Sequence, residues 1–172
     1  QIKVMLLSTK YALQREMLNK ITFISNVLFM ILNNASFIIQ WIILYSLKDD
    51  VGGYTLKQVL LLWGFAASTY GLSHFIFKEA YNLTETINTG KLDAYLIQPK
   101  NVLLSCITSS VEVSCIGDLL YGYIMLAIYG LNLKSFLLFT FFSILGSLIL
   151  VSISVIFSSL SFWFGKVDII SN

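Results

Sequence analysis

Residues Ser135 to Gly165 read SFLLFTFFSILGSLILVSISVIFSSLSFWFG, with no charged side chain between Lys134 and Lys166. A helix needs about 20 apolar residues to cross roughly 30 Å of hydrocarbon, so this run exceeds one crossing. Its end, serines followed by Phe162, Trp163 and Phe164, has the aromatic character of a membrane boundary. Two further runs have the same character. Ile21 to Leu47 is uncharged between Lys20 and Lys48, and Gln58 to Phe77 is uncharged between Lys57 and Lys78 apart from His74. Residues 110–131 are less clean, with Glu112 near the start and Asp118 inside. They still read as a span, because an irregular crossing between Pro99 and Lys134 would leave backbone groups unsatisfied in lipid at several kcal/mol each.

The composition agrees. Of 172 residues, 57% are hydrophobic and only 12% charged, and the mean hydropathy of +0.81 lies outside the soluble range. The runs lack the strict alternation of a membrane β-barrel. The predicted fold is therefore all-α: a polytopic helical membrane protein, one transmembrane domain over 1–172, with spans at 21–47, 58–77, 110–131 and 135–165 and a loop at 78–104. Residues 1–20 are helix-prone but charged every few positions. Val4, Leu7, Tyr11 and Leu18 form one apolar stripe and Ile2, Leu6, Leu13 and Met17 another, with Ser8, Arg15, Glu16 and Asn19 on the polar face between them. That pattern suits an amphipathic helix lying in the membrane interface, its lysines reaching the headgroups; an ordinary cytoplasmic helix is the plainer alternative.

Charge placement orients the chain. Lys3, Lys10, Arg15, Lys20, Lys78, Lys91, Lys100 and Lys166 fall on one side of these spans, and Lys48, Lys57 and Lys134 on the other, together with Asp49 and Asp50. By the positive-inside rule the N-terminus and the 78–104 loop are cytoplasmic. The opposite loops are short, one turning at Gly52-Gly53 and the other spanning Gly130 to Lys134. Gly64, Ser68 and Gly71 in the second span, and Gly117 and Gly122 in the third, are small enough to let helices approach closely.

Few residues carry chemistry. Neither Gly90-Lys91 nor Gly165-Lys166 has a glycine five residues before its own glycine or a Ser/Thr after the lysine, so there is no phosphate-binding loop. No nucleophile elbow or zinc-protease motif occurs, and Cys106 and Cys115 have no ligands at metal-binding spacing. The chain is expected to be no enzyme and to hold no cofactor. A carboxylate inside a span costs about 2.5 to 3.5 kcal/mol, so Asp118 either contacts a cavity or partner helix, or sits solvated near the cytoplasmic boundary. His74 reads as a hydrogen-bonded packing residue or, less simply, a proton relay. Asn26, Asn33 and Asn34 suit an interhelical hydrogen-bonded seam better than a substrate path.

The loop has more structure than its polarity suggests. Asn82 with Glu85 three residues later resembles a capping box, and Gly90 is a helix stop. Lys91 to Gln98 then offers a second short helix, with Leu92, Tyr95 and Leu96 on one face and Pro99 ending it. Tethered between two spans, such a helix can set apolar knobs into a partner's groove.

The pattern Ile87, Gly90, Leu92, Asp93, Leu96, Pro99 and Asn101, followed by Gly117-Asp118-Leu119-Leu120, resembles the ABC-2 family of bacterial ATP-binding-cassette exporter permeases, most strongly over residues 80–125. The resemblance implies six spans with both ends cytoplasmic in a bacterial cytoplasmic membrane, an N-terminal interfacial helix, and a coupling helix between the second and third spans. It places the coupling element around 84–99, with Ile87, Gly90, Leu92, Asp93, Tyr95, Leu96 and Pro99 as partner-binding residues. It implies a cytoplasmic ABC ATPase dimer that holds ATP and Mg, a second permease, identical or homologous, and surrounding lipid as partners, with no nucleic acid. Thr89 and Gln98 stand where basic residues would be expected. Four spans are visible where six are implied, and the chain runs from Gln1 to Asn172 without a natural start, so a longer protein is expected. The alternative is a non-transporting assembly or sensor subunit that binds a cytoplasmic partner through the same loop.

Overall fold

A computed structural model describes residues 2–47, 51–130 and 132–164, with side chains from Leu6 onward. The readings placed on Lys48, Asp49, Asp50, Leu131, Gly165 and Lys166, and on the side chains of Ile2, Lys3 and Val4, lie outside the described residues. Nine α-helices form among the described residues: α1 (Ile2–Glu16), α2 (Lys20–Leu47), α3 (Leu56–Tyr81), α4 (Leu83–Asn88), α5 (Asp93–Leu96), α6 (Val102–Ile107), α7 (Ile116–Gly130), α8 (Leu133–Ser159) and α9 (Ser161–Phe164). The protein is all-helical, as expected. Four helical stretches are long and apolar enough to cross a bilayer: Lys20–Leu47, Leu56–Asn88, Val113–Gly130 and Leu133–Phe164.

Helix ends differ from the sequence expectation where local chemistry intervenes. The third stretch begins with a 3₁₀ turn, Val113–Cys115, before α7, and residues 110–112 are not helical. The second stretch runs past residue 77 because α3 continues through a kink at Phe77 (φ −122, ψ 38). Gly52 and Gly53 turn the chain as expected, with φ of +63 and +82. Positive φ at both central positions is the type I′ geometry that glycine permits, and Val51 and Tyr54 exchange backbone hydrogen bonds across the turn.

The chain forms two compact units, residues 21–72 with 114–147, and residues 1–20 with 73–113 and 148–172. In the unit containing 21–72, α3 and α7 meet through their small residues. A Cβ added at Gly122 would overlap the Ser68 hydroxyl, and one at Gly71 would come within 2.8 Å of Asp118 Cβ. Gly117 brings α7 equally close to Met30 on α2. Leu60, Tyr121 and Met125 form the buried core beside this contact, with Ile38, Trp41 and Trp63 against it. The residues singled out for close approach therefore do so, and the physical reason is dispersion: backbones without intervening side chains gain contacts that lipid tails cannot match.

In the unit containing 73–113, α1 packs on α6. Ala12 is buried, and Ser8 donates its hydroxyl to the Thr108 carbonyl at 3.1 Å. Ser8 had been assigned to the polar face of α1. The carbonyl of Thr108, at the end of α6, draws it inward, while Leu6, Tyr11, Met17 and Leu18 stay exposed. Ala80, Ile107 and Val151 form this unit's core, where the Ser154 hydroxyl donates to the Ala80 carbonyl at 3.0 Å. Hydroxyl return bonds of this kind satisfy polar groups that lipid would leave orphaned.

Candidate functional site

Between the long helix α3 and α7 the chain forms the short helices α4, α5 and α6. The first of these has no capping box. Asn82 adopts φ −100, ψ 8 and makes no side-chain cap hydrogen bond. A capping side chain needs an extended backbone at its own residue, and Asn82 is instead the single residue joining α3 to α4, its carbonyl accepting from Thr86 N at 3.0 Å. Glu85, freed from capping, lies 3.4 Å from Lys91 Nζ in an exposed pair; such pairs contribute little, about 0 to 1 kcal/mol.

Gly90 is the stop the sequence implies. It has φ +71, and its amide donates to the Ile87 carbonyl at 3.1 Å. The second helix is shorter than the expected Lys91 to Gln98: only Asp93–Leu96 are helical, flanked by turn bonds from Tyr95 N to Leu92 O and from Gln98 N to Tyr95 O. Pro99 explains the shortening, because its ring disfavours helical backbone at Gln98. Leu92 and Tyr95 are half-buried, and Ile87 is too, while Asp93 and Pro99 are exposed. The apolar residues that project are Leu96, 59% exposed, and Ile97, 86% exposed. Sequence reasoning named Leu92, Tyr95 and Leu96 and missed Ile97, which directly follows the last helical residue as the C-cap of α5.

Asn101 was also missed as a structural residue. It is the N-cap of α6, with an extended backbone and its Oδ1 accepting from Leu104 N at 3.0 Å. An asparagine directly ahead of an apolar run was the available signal. Behind the loop, two polar contacts join the end of α3 to the 108–113 connection. Lys78 Nζ lies 2.7 Å from Glu112 Oε2, and the Ser110 hydroxyl donates to Glu79 Oε1 at 2.6 Å. Cys106 is buried nearby; burial, and secondarily the Glu79 charge, push its thiol up to about 11.

The kink is stapled as well. Tyr81 donates its hydroxyl to Ser73 Oγ at 3.0 Å, and its ring stacks on His74 with centroids 3.8 Å apart. His74 Nδ1 in turn lies 3.2 Å from Ser73 Oγ. His74 is thus placed among packing contacts that span Phe77.

Of the candidates Asn26, Asn33, Asn34 and Asp118, the structure brings two together. Asn34 Nδ2 donates to Asp118 Oδ1 at 2.6 Å and to the Met30 carbonyl at 3.0 Å. Both residues are buried, Asp118 to 3% exposure, and among the described residues Asp118 Oδ2 has no hydrogen-bond partner. The solvated reading of Asp118 does not fit this burial; the contact is interhelical, between α2 and the first turn of α7. Asn26 and Asn33 are exposed and join no such seam, since successive asparagines at 33 and 34 point about 100° apart on a helix. Among the described residues, no three His, Cys, Asp or Glu side chains gather in a way that could hold a metal ion.

The arrangement is therefore one of apolar membrane-length helices, a loop with projecting apolar residues, and a buried polar contact between α2 and α7. Compared with known families, residues 20–172 match the model of the ABC-2 family transporter protein. No curated protein and no solved structure matches the chain. A match over nearly the whole chain, together with its all-helical membrane-length architecture, shows that the chain belongs to the ABC-2 transporter family.

Proposed function

We propose that this integral membrane protein is the permease subunit of an ATP-driven exporter, coupled through α4 and α5 to a separate ATPase. Membership of the ABC-2 family makes it a membrane component of an ABC transporter; export, the partners and the route of coupling are our reading. The observation that carries the reading is the pair Leu96 and Ile97, large apolar side chains exposed at the tip of a loop anchored at both ends to membrane-length helices. Exposed apolar anchors on a short rigid element are what a groove on a partner recognises.

The loop faces the cytoplasm of a bacterial cell, as does the N-terminus, and α1 lies in the membrane interface. Two cytoplasmic ATPase subunits bind ATP and Mg and close on each other. Their motion is passed through Leu96 and Ile97 to the loop, and from the loop to α3 through Lys78, Glu79 and the stapled kink at Phe77. A second permease, identical or homologous, completes the pathway, and closure opens it toward the far side.

The test is co-purification with a cytoplasmic ABC ATPase expressed together with this chain. Leu96→Asp and Ile97→Asp each remove an anchor worth roughly 2 kcal/mol, about 30-fold in affinity. Both variants are expected to lose the ATPase from the complex and to lose substrate-stimulated ATP turnover. An intact complex with normal stimulation would overturn the coupling assignment. A stable ATPase-free complex with some other cytoplasmic protein would favour an assembly or sensor role.

A further inference from the structure

We propose that the groove between α1 and the Gln98–Ser109 segment is a binding site for an anionic membrane phospholipid. The groove holds about 540 Å³, within the roughly 300 to 1,000 Å³ of small-molecule sites. Its wall along α1 carries Leu7 and Tyr11, and α6 contributes Leu104. Tyr11 and Leu7 remain exposed at its edge, although both are large side chains with apolar bodies that gain from being covered.

The charge of the lining points to the occupant's head. Lys100 is the one charged residue among the described residues that line the groove, and no carboxylate is among them. Lys100 belongs to neither ion pair of the described residues, which are Lys78 with Glu112 and Lys91 with Glu85. An ammonium over an apolar wall suits a molecule with a single anionic end and a hydrocarbon body.

The hydrogen bonding of the lining argues against a peptide. Ser8 donates to the Thr108 carbonyl and Thr108 Oγ1 to the Leu104 carbonyl. Gln98 Nε2 donates to the Ala94 carbonyl, and Asn101 Oδ1 accepts from Leu104 N. A peptide laid in the groove would bring backbone polar groups to a wall where Ser8, Gln98, Asn101 and Thr108 already hold hydrogen bonds within the protein, and buried unpaired amides are costly. A lipid acyl chain brings none. The inference rests on the reading that α1 lies in the membrane interface, where such a groove meets lipid.

The experiment uses the full chain in phosphatidylcholine nanodiscs doped with photoactivatable phosphatidylglycerol or, in parallel, photoactivatable phosphatidylcholine, with cross-links mapped by mass spectrometry. Cross-links are expected at Tyr11 and Leu104, favouring phosphatidylglycerol by about fivefold, the preference that one basic residue near an anionic surface confers. Lys100→Glu, at an exposed position, should bring the ratio to one or below, and Ser105→Trp should remove both products by filling the groove. Cross-links confined to the outward faces of α2 and α8, or a ratio unchanged in Lys100→Glu, would overturn the site. So would groove protection that appears only when the ATPase is added, because the occupant would then be protein. A fluorophore on Leu18→Cys, quenched by headgroup-region nitroxide lipids, separates the two readings. Quenching without groove cross-links rejects the lipid site alone, and no quenching rejects the interfacial placement of α1 and the site with it.

Discussion

Asn34 and Asp118 share one hydrogen bond, and its worth depends on what the groups would do without it. In water-soluble proteins a bond to a charged group contributes about 1.5 to 3 kcal/mol, but intramembrane bonds average about 0.6 and reach about 1.7. The upper membrane figure applies to this pair, because Asp118 is buried and its Oδ2 lacks a partner among the described residues. Asn34→Leu should therefore lower stability by about 1.7 kcal/mol, measured by denaturation in mixed micelles. Asn34→Leu combined with Asp118→Leu should cost less than Asn34→Leu alone, since no polar group is then stranded. A double variant worse than the single one would show that the carboxylate has other partners. Cys106 gives a second check at this scale. With its thiol near 11, the thiolate fraction at pH 8 is about 0.1%. Because the shift is upward, alkylation in a Cys115→Ser background should be slow at pH 8 and rise about tenfold per pH unit past 9, where an ordinary thiol levels off. That Cys106 sits beside Glu79 was not readable in the sequence, because the two are joined only by the packing of α6 near the end of α3.

Among the elements, α3 and α7 have the tightest fit. At Gly122 any side chain would overlap the Ser68 hydroxyl, and Gly64 lies against Gly122 and Met125. Gly122→Leu should destabilise by at least about 1 to 3 kcal/mol, the usual cost of overpacking, and is expected to show as lost monodispersity in size-exclusion chromatography. Gly130→Leu, where a Cβ meets nothing within 4 Å, should behave as the native protein. Equal behaviour of the two variants would mean that the helices are not packed in this way. The small residues announced this contact by their helical spacing. The kink at Phe77 had no such signal: neither proline nor glycine occupies it, and its staple joins residues eight apart, Ser73 and Tyr81, that a straight helix would hold further from each other. For α5, Gly90 and Pro99 set the outer limits in advance, but how soon the proline ended the helix was decided only by the structure.

At the scale of the molecule, the exposed surfaces of α2 and α8 are crowded with Ile, Leu and Phe, far more apolar surface than a soluble protein leaves uncovered. Lipid and partner helices are its natural cover. The charge asymmetry adds a prediction about sides. In a Cys106→Ser, Cys115→Ser background, Lys91→Cys should react with a membrane-impermeant maleimide only from the cytoplasmic side, and Tyr54→Cys only from outside. The reverse pattern would invert the orientation. Hydrophobic length, charge bias and the position of glycine and proline are local quantities, and they sufficed to determine the all-helical membrane architecture, the four long stretches and the presence of a structured loop between the second and third. Which polar side chains meet is a matter of rotation about each helix axis and of contacts between distant segments. Ser8 turned inward to Thr108, and Asn34 but not Asn33 reached Asp118, because packing between elements far apart in the chain selected those faces.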